Sequence, residues 1–263
     1  MNASAVAGGV DAGPRSAPAA TMFLAIGRAT AVLLFSLCAL IEIAAIVPFV
    51  RAAHRVHARA AWLHVWCRFA CRVLGIHVTS SGSMPRSGLL VCNHLSYLDI
   101  IVLSSITPCV FVAKANVAAW PLFGWLTRAA GAIFVDRRRK LSSAAAVEEM
   151  REAMAEGALV VLFPEGTSSD GSGILPFKSA LLQPALDLGC NITAAAIDYS
   201  LSRGSVADEI CYWRDMTLVP HLLNLFTKPV IKSKLVVAPF LFRCSDRKGI
   251  ARTLREQIVA MRS

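Results

Sequence analysis

Beyond about Gly75 the chain alternates short apolar runs with longer stretches of helical period. The runs Leu89–Cys92, Cys109–Ala113, Ala132–Val135, Ala158–Phe163, Ile192–Ile197 and Leu235–Ala238 have strand length, and several are apolar at nearly every position, as strands covered on both faces are. Between them Val147, Met150 and Met154 fall at i, i+3 and i+7 in a segment closed by Gly157. Ile250, Leu254, Ile258 and Met261 form a second stripe after Ser245. The alternation predicts an α/β domain over 76–263, with a mixed, largely parallel sheet flanked by helices. There is no internal repeat.

The N-terminal part reads differently. Residues 1–21 are mostly Ala, Gly, Ser and Pro, which predicts a disordered tail. Residues 22–75 read as membrane-anchoring and interfacial helices. From Ala29 to Val50 only Glu42 is charged, and a helix of that length would span about 33 Å, enough to cross a bilayer. A helix lying in the interface without crossing is the rival reading, because Glu42 is costly in hydrocarbon and Pro48 would kink the end. Arg51, Arg55, Arg59, Arg68 and Arg72 then interleave with Trp62, Trp66 and Phe69, a pattern suited to the headgroup layer. Because these cations follow the apolar run, the positive-inside rule places the remainder of the chain on the cytoplasmic face.

Composition sharpens this picture. A content of 56% hydrophobic residues with only 17% charged suits a core plus a membrane attachment, and a net charge of +10 implies an anionic partner. Lipid fits better than nucleic acid, for which no recognition module is present. The eight cysteines show no CxxC pairing and read as reduced thiols, mostly small core residues. His64, Cys67 and Cys71 would share a helical face but have no obvious fourth ligand, so no metal site is expected.

The candidate chemistry lies where strands end. In "CNHLSYLDI" His94 and Asp99 are five positions apart, about 140° around a helix, so they cannot act together on one helix. If the chain bends between strand and helix, Asp99 can fold back onto one imidazole nitrogen and leave the other free as a general base. Ser96 and Asp99 also make an S-x-x-D pattern that could simply cap the next helix. "GAIFVDRRRK" ends a short strand in Asp136 followed by Arg137, Arg138, Arg139 and Lys140, a group able to hold phosphate or to form a solvated face. In "LFPEGTSSDG", Glu165 precedes Gly166 and Thr167, where backbone N–H groups could approach a ligand oxygen. Cys92 would share a strand face with His94 and is a weaker candidate, as an acylated nucleophile.

"NHLSYLD", "GAIFVDR" and "FPEGTSS", in this order, resemble the first three blocks of the glycerolipid acyltransferase family, which includes the 1-acylglycerol-3-phosphate acyltransferases. The resemblance covers about Ser80 to Ala238. It implies transfer of a fatty acyl group from an acyl-CoA or acyl-carrier-protein thioester to the hydroxyl of a lysolipid at the membrane, with no cofactor beyond that co-substrate. On it, His94 is the base and Asp99 its orienting partner, Arg137 meets the acceptor's phosphate, and Glu165 and Gly166, with Thr167 beside them, help hold the acceptor. Three positions depart from the family pattern: Ser168 stands where lysophosphatidate enzymes usually carry arginine, Ala194 replaces a proline, and Asn116 replaces an acidic residue. Lys178 could substitute for the missing cation, or only snorkel from a helix.

The run "FPEGTSSDGSGILPFKSALL" looks like bacterial relatives acting on lyso-ornithine lipid. Because Arg137 and its cluster remain, lysophosphatidate is the favoured acceptor and lyso-ornithine lipid the alternative. A thioesterase, or a lipid-binding membrane protein without catalysis, is the reading from another class. Trp213, Asp215 and His221 read as packing rather than catalysis, and Leu222–Phe226 as core or as one wall of an acyl groove. Oligomeric state is not encoded in any of these features.

Overall fold

The structure, a computed structural model, describes residues 19–136, 140–240 and 246–262. Its elements in chain order are α1 (Ala19–Ile46), α2 (Arg55–Leu74), β1 (Ile76–Ser81), β2 (Gly88–Cys92), α3 (Leu98–Ile106), β3 (Val110–Lys114), α4 (Phe123–Ala129) and β4 (Ile133–Val135). There follow α5 (Lys140–Ala155), β5 (Leu159–Leu162), α6 (Gln183–Asp187), β6 (Ile192–Ser200), α7 (Val206–Glu209), α8 (Leu218–Phe226), β7 (Ile231–Pro239) and α9 (Arg247–Arg262).

The strands form one seven-stranded sheet in the order β1-β7-β6-β2-β5-β3-β4. β6, β2, β5, β3 and β4 run in one direction; β7 is antiparallel to β6, and β1 is parallel to β7. The sheet is therefore mixed and largely parallel, as the alternating pattern predicts. Strand alternation sends Leu89, Val91 and Val160 to a core shared with α5, α6 and α9, and Leu90, Cys92 and Val161 to a second core shared with α2, α3 and α8. The expected helical stripes are both present. Met150, Met154, Leu254 and Ile258 are buried, and Asp246 caps α9 by accepting the Gly249 N–H at 2.9 Å.

Two expectations change. β1 was not visible in the pattern because only its first residue, Ile76, is buried and the rest is polar or partly exposed. The apolar helix begins at Ala19, inside the stretch read as tail, and runs through Arg28, which sequence hydropathy excludes from a span. Arg28 is tolerated because its guanidinium donates to the carbonyls of Phe226, Lys228 and Pro229 just beyond α8, where a helix C-terminus presents unsatisfied oxygens. α1 is long and apolar enough to cross a membrane. It does not stand free of the domain, however: it packs on α2, α4 and α8 through Arg28, Val32, Ser36, Ala39 and Ile43. Phe23, Leu33, Leu34, Leu37 and Ile41 face outward and remain more than half exposed. Glu42, the costly charge, accepts the Trp66 indole N–H at 2.6 Å, and Trp66 stacks on Phe35.

α2 stops at Gly75, which takes a left-handed φ of 68°. A Cβ there would lie 2.6 Å from the Pro229 carbonyl oxygen, so the close approach of β1 to the segment before β7 needs glycine.

Candidate active site

The site is built at the carboxyl ends of the parallel strands, the usual place for chemistry in such sheets. β2 ends at Cys92, and the next side chain takes over the ladder. Buried Asn93 donates Nδ2 to the Ile197 carbonyl at 3.0 Å and accepts the Ile197 N–H at 2.8 Å, so it holds on to β6 as the backbone peels away. The chain then bends and α3 begins, with Asp99 in its first turn.

The bend brings His94 and Asp99 together. His94 Nδ1 lies 2.7 Å from Asp99 Oδ2, which also accepts the N–H groups of Leu95 at 2.7 Å and Ser96 at 3.0 Å. Asp99 is fully buried, whereas the His94 side chain keeps 20% exposure. A carboxylate surrounded by donors requires His94 Nδ1 to carry the proton, so Nε2 is the nitrogen left with a lone pair. Capping and orientation are thus one arrangement: Asp99 reaches back to the N–H groups ahead of its helix and holds the imidazole with the same oxygen. Asp99 Oδ1 accepts a hydrogen bond from Tyr199 OH, at the end of β6, at 2.7 Å.

The loop after β5 packs against this bend. Glu165 is buried and uses both oxygens on backbone, accepting His94 N–H at 2.7 Å and Leu175 N–H at 2.8 Å, while Ser169 N–H donates to the His94 carbonyl at 3.0 Å. Burial raises the Glu165 carboxyl above its ordinary value, and the two N–H bonds and His94 oppose the shift. Glu165 is therefore turned into the protein, joining the two loops, rather than open to an acceptor as the resemblance implied. Gly166 takes a φ of 74° in a turn closed by its N–H to the Phe163 carbonyl. Thr167 and Lys178 are exposed, and Lys178 joins the same loop through its backbone N–H to the Pro164 carbonyl at 2.9 Å. Arg137, with Arg138 and Arg139, lies outside the described residues. Its neighbour β4 ends at Val135 on the same edge of the sheet as β2 and β5.

Ser168 donates its hydroxyl to the Tyr212 carbonyl, and Tyr212 N–H donates to Leu95, so a third loop closes on the bend. His221 has both nitrogens engaged. Nε2 faces the Cys211 carbonyl at 3.1 Å and must carry the proton, so Nδ1 accepts from Tyr97 OH at 2.9 Å. That fits packing rather than catalysis. Cys92 is wholly buried, and burial pushes its thiol far above the ordinary range, which argues against an acylated nucleophile.

On the outer side, the His94 ring stacks on Phe163 with centroids 4.2 Å apart, and Phe163 stacks on Phe111 at 6.1 Å. Phe111 lines an apolar cavity of 140 Å³ enclosed by α1, α2, α3, α4 and α8, with Tyr97, Ile100, Leu222 and Phe226 also in its wall. Leu222 and Phe226 thus serve as cavity wall, and Leu225 as core. Sequence reasoning missed Tyr199, Asn93 and the Phe163–Phe111 stack, because each acts through a partner on a different strand or loop.

A family model described as Acyltransferase matches residues 75–198. A lyso-ornithine lipid O-acyltransferase of Rhizobium meliloti is 35% identical over 75% of this chain and 73% of its own length. The chain belongs to the glycerolipid acyltransferase family. A 1-acyl-sn-glycerol-3-phosphate acyltransferase of Neisseria meningitidis is 34% identical over 67% of this chain and 70% of its own. The fold matches the crystal structure of the 1-acyl-sn-glycerophosphate (LPA) acyltransferase PlsC from Thermotoga maritima. The TM-score is 0.63 at 20% identity, covering 93% of this chain and 97% of that one. This acyltransferase is membrane-associated, and its apolar N-terminal helix is the candidate anchor.

Proposed function

We propose that His94 is the general base of an acyl transfer from an acyl-CoA or acyl-carrier-protein thioester to the free hydroxyl of a lysolipid. The observation that carries this is the His94–Asp99 pair, with no partner on Nε2 among the described residues and an apolar cavity behind the neighbouring rings. The acceptor oxygen attacks the thioester carbonyl carbon while its proton passes to Nε2. The tetrahedral species then expels the thiolate, which recovers that proton from the imidazolium. The thioester is already activated, so a base and a positioned acceptor suffice. The cavity takes the acyl chain, and the basic segment after the apolar helix supports a cytoplasmic active site.

Lysophosphatidate is the acceptor on the first reading, supported by the basic run that begins at Arg137 and by the Neisseria relative's name. Lyso-ornithine lipid is the second, favoured by position 168, where a serine bonded to the Tyr212 carbonyl replaces a cation that would meet phosphate. The purified full-length protein, given one labelled acyl-CoA with each acceptor in parallel micelles, separates them by product. Equal thioester consumption with and without acceptor overturns both readings in favour of hydrolysis. Replacing His94→Ala should lower turnover by a factor on the order of 10²–10⁴ with membrane binding unchanged. Near-normal turnover in the folded variant removes the base assignment.

A further inference from the structure

We propose that Tyr199 is a positioning residue of this reaction: by donating to Asp99 Oδ1 it fixes the carboxylate that orients His94 and thereby sets how basic the imidazole is. The proposal deepens the reading above and rests on His94 being the base.

The two oxygens of Asp99 are served very unequally. Oδ2 has three donors from its own bend, whereas the one hydrogen bond reaching Oδ1 among the described residues is Tyr199 OH, from a hundred positions along the chain. Asp99 has no exposed surface, so water cannot replace that donor. The phenol is delivered by a rigid element. β6 is paired on one side with β2 and on the other with β7, where Tyr199 stands opposite Ser233, and Asn93 grips Ile197 two residues earlier. Without Tyr199 one carboxylate oxygen would be buried and unpaired, and the plane of the group would be fixed from one side only.

Burial and the Asp99 charge hold the Tyr199 phenol far above its ordinary pKa, so it remains a donor throughout the working range. Its donation draws charge from the carboxylate. A weaker donor leaves more negative charge facing the imidazolium and raises the basicity of His94; a stronger donor lowers it. The other titratable groups around the pair are Glu165 on the loop after β5, Cys92 at the end of β2, Cys211 ahead of α8, Cys71 on α2, and the Asp198–Arg262 ion pair. Burial raises the Cys71 and Cys92 thiols and pushes Cys211 up to about 12, so these stay neutral, and the carboxylates around the pair are Glu165 and the ion-paired Asp198.

The test is the pH dependence of kcat for the full-length protein in mixed micelles, with an acyl-CoA and whichever of lysophosphatidate or lyso-ornithine lipid it turns over. Tyr199→Phe should lower plateau kcat about 10-fold and move the acid limb to higher pH, with both KM values within about two-fold of wild type. Placing 3-fluorotyrosine at 199 keeps the hydroxyl and strengthens it as a donor, so the limb should move to lower pH; being nearly isosteric, it carries the test if the phenylalanine variant does not fold. In an Asp99→Asn background, Tyr199→Phe should add little further loss. An acid limb that moves in neither variant overturns the proposal, as does a raised acceptor KM with unchanged kcat. Turnover by His94→Ala would instead overturn the base assignment. Inactivity of that variant with an unmoved limb overturns the role of Tyr199 alone.

Discussion

Asp99 does two jobs with one oxygen, and this is why half the site can be seen in the sequence and half cannot. The bend from His94 to Asp99 is local: five positions, a strand end before it and a helix start after it. The groups that make it rigid come from elsewhere. Glu165 was legible as a residue of interest but not in its role, because its partners, His94 N–H and Leu175 N–H, are backbone groups that no pattern marks. That role can be tested. In Glu165→Gln one carboxylate oxygen becomes an amide that confronts a backbone N–H, so one tie is lost at about 1–3 kcal/mol. The folded-state pKa of Glu165 is raised, so the stability it contributes is present below the unfolded value and lost as pH rises through the folded one. At neutral pH its buried charge is therefore a cost that glutamine removes. kcat should fall about 5- to 100-fold while the melting temperature at pH 7 changes little. A large fall in melting temperature with kcat preserved would show that the two loops are joined for folding and not for the base.

At the scale of elements, legibility followed burial. β2, β3 and β5 are covered on both faces, and their apolar runs mark them to within a residue or two; β7 extends earlier than its run because exposed Lys232 and Lys234 alternate with buried positions on its outer half. β1 lies at the sheet edge with one buried side chain and left no run to see. α8 shows the opposite case: an apolar helix whose purpose depends on what it touches. It lines the cavity with Leu222 and Phe226, is held to α1 by Arg28 at its C-terminal end, and carries His221 against Tyr97. Burial lowers the His221 pKa, with the Cys211 carbonyl opposing the shift. A depressed folded value means that the stability is complete above the unfolded pKa of about 6.5 and is lost as pH falls through the folded value. Glutamine can accept from Tyr97 and donate to Cys211 without titrating. The fall in melting temperature between about pH 7.5 and 5.5 should thus be shallower in His221→Gln than in wild type. Parallel slopes would show that His221 takes up no proton in that window.

The whole molecule turns on how α1 meets the membrane. The sequence could show its length and apolarity but not its docking, because the groups that receive the inner stripe Arg28, Val32, Ser36, Ala39 and Ile43 lie on other elements, α2, α4 and α8, and no pattern within α1 marks them. With the inner stripe on α2, α4 and α8, the outer one stays exposed, and the same helix roofs the apolar cavity that Phe111 lines. If the outer stripe is what holds the protein to the membrane, attachment scales with the outer apolar area plus the attraction of exposed arginines on α2 for anionic lipid. Replacing Leu34→Asp together with Ile41→Asp removes two outer side chains, each worth about 1.5 kcal/mol or more when buried, and adds two anions at an anionic surface. Partitioning onto anionic vesicles should weaken by about 100-fold or more, read by co-sedimentation. kcat on acceptor in mixed micelles should stay near wild type, because neither residue touches the cavity wall. Ala39→Asp, on the inner stripe and 1% exposed, should instead unfold the α1 packing and lower both. If the double variant still sediments fully with vesicles, the outer face is not what holds the enzyme to the membrane. If it loses micellar activity in step with binding, then α1 shapes the catalytic domain as much as it anchors it.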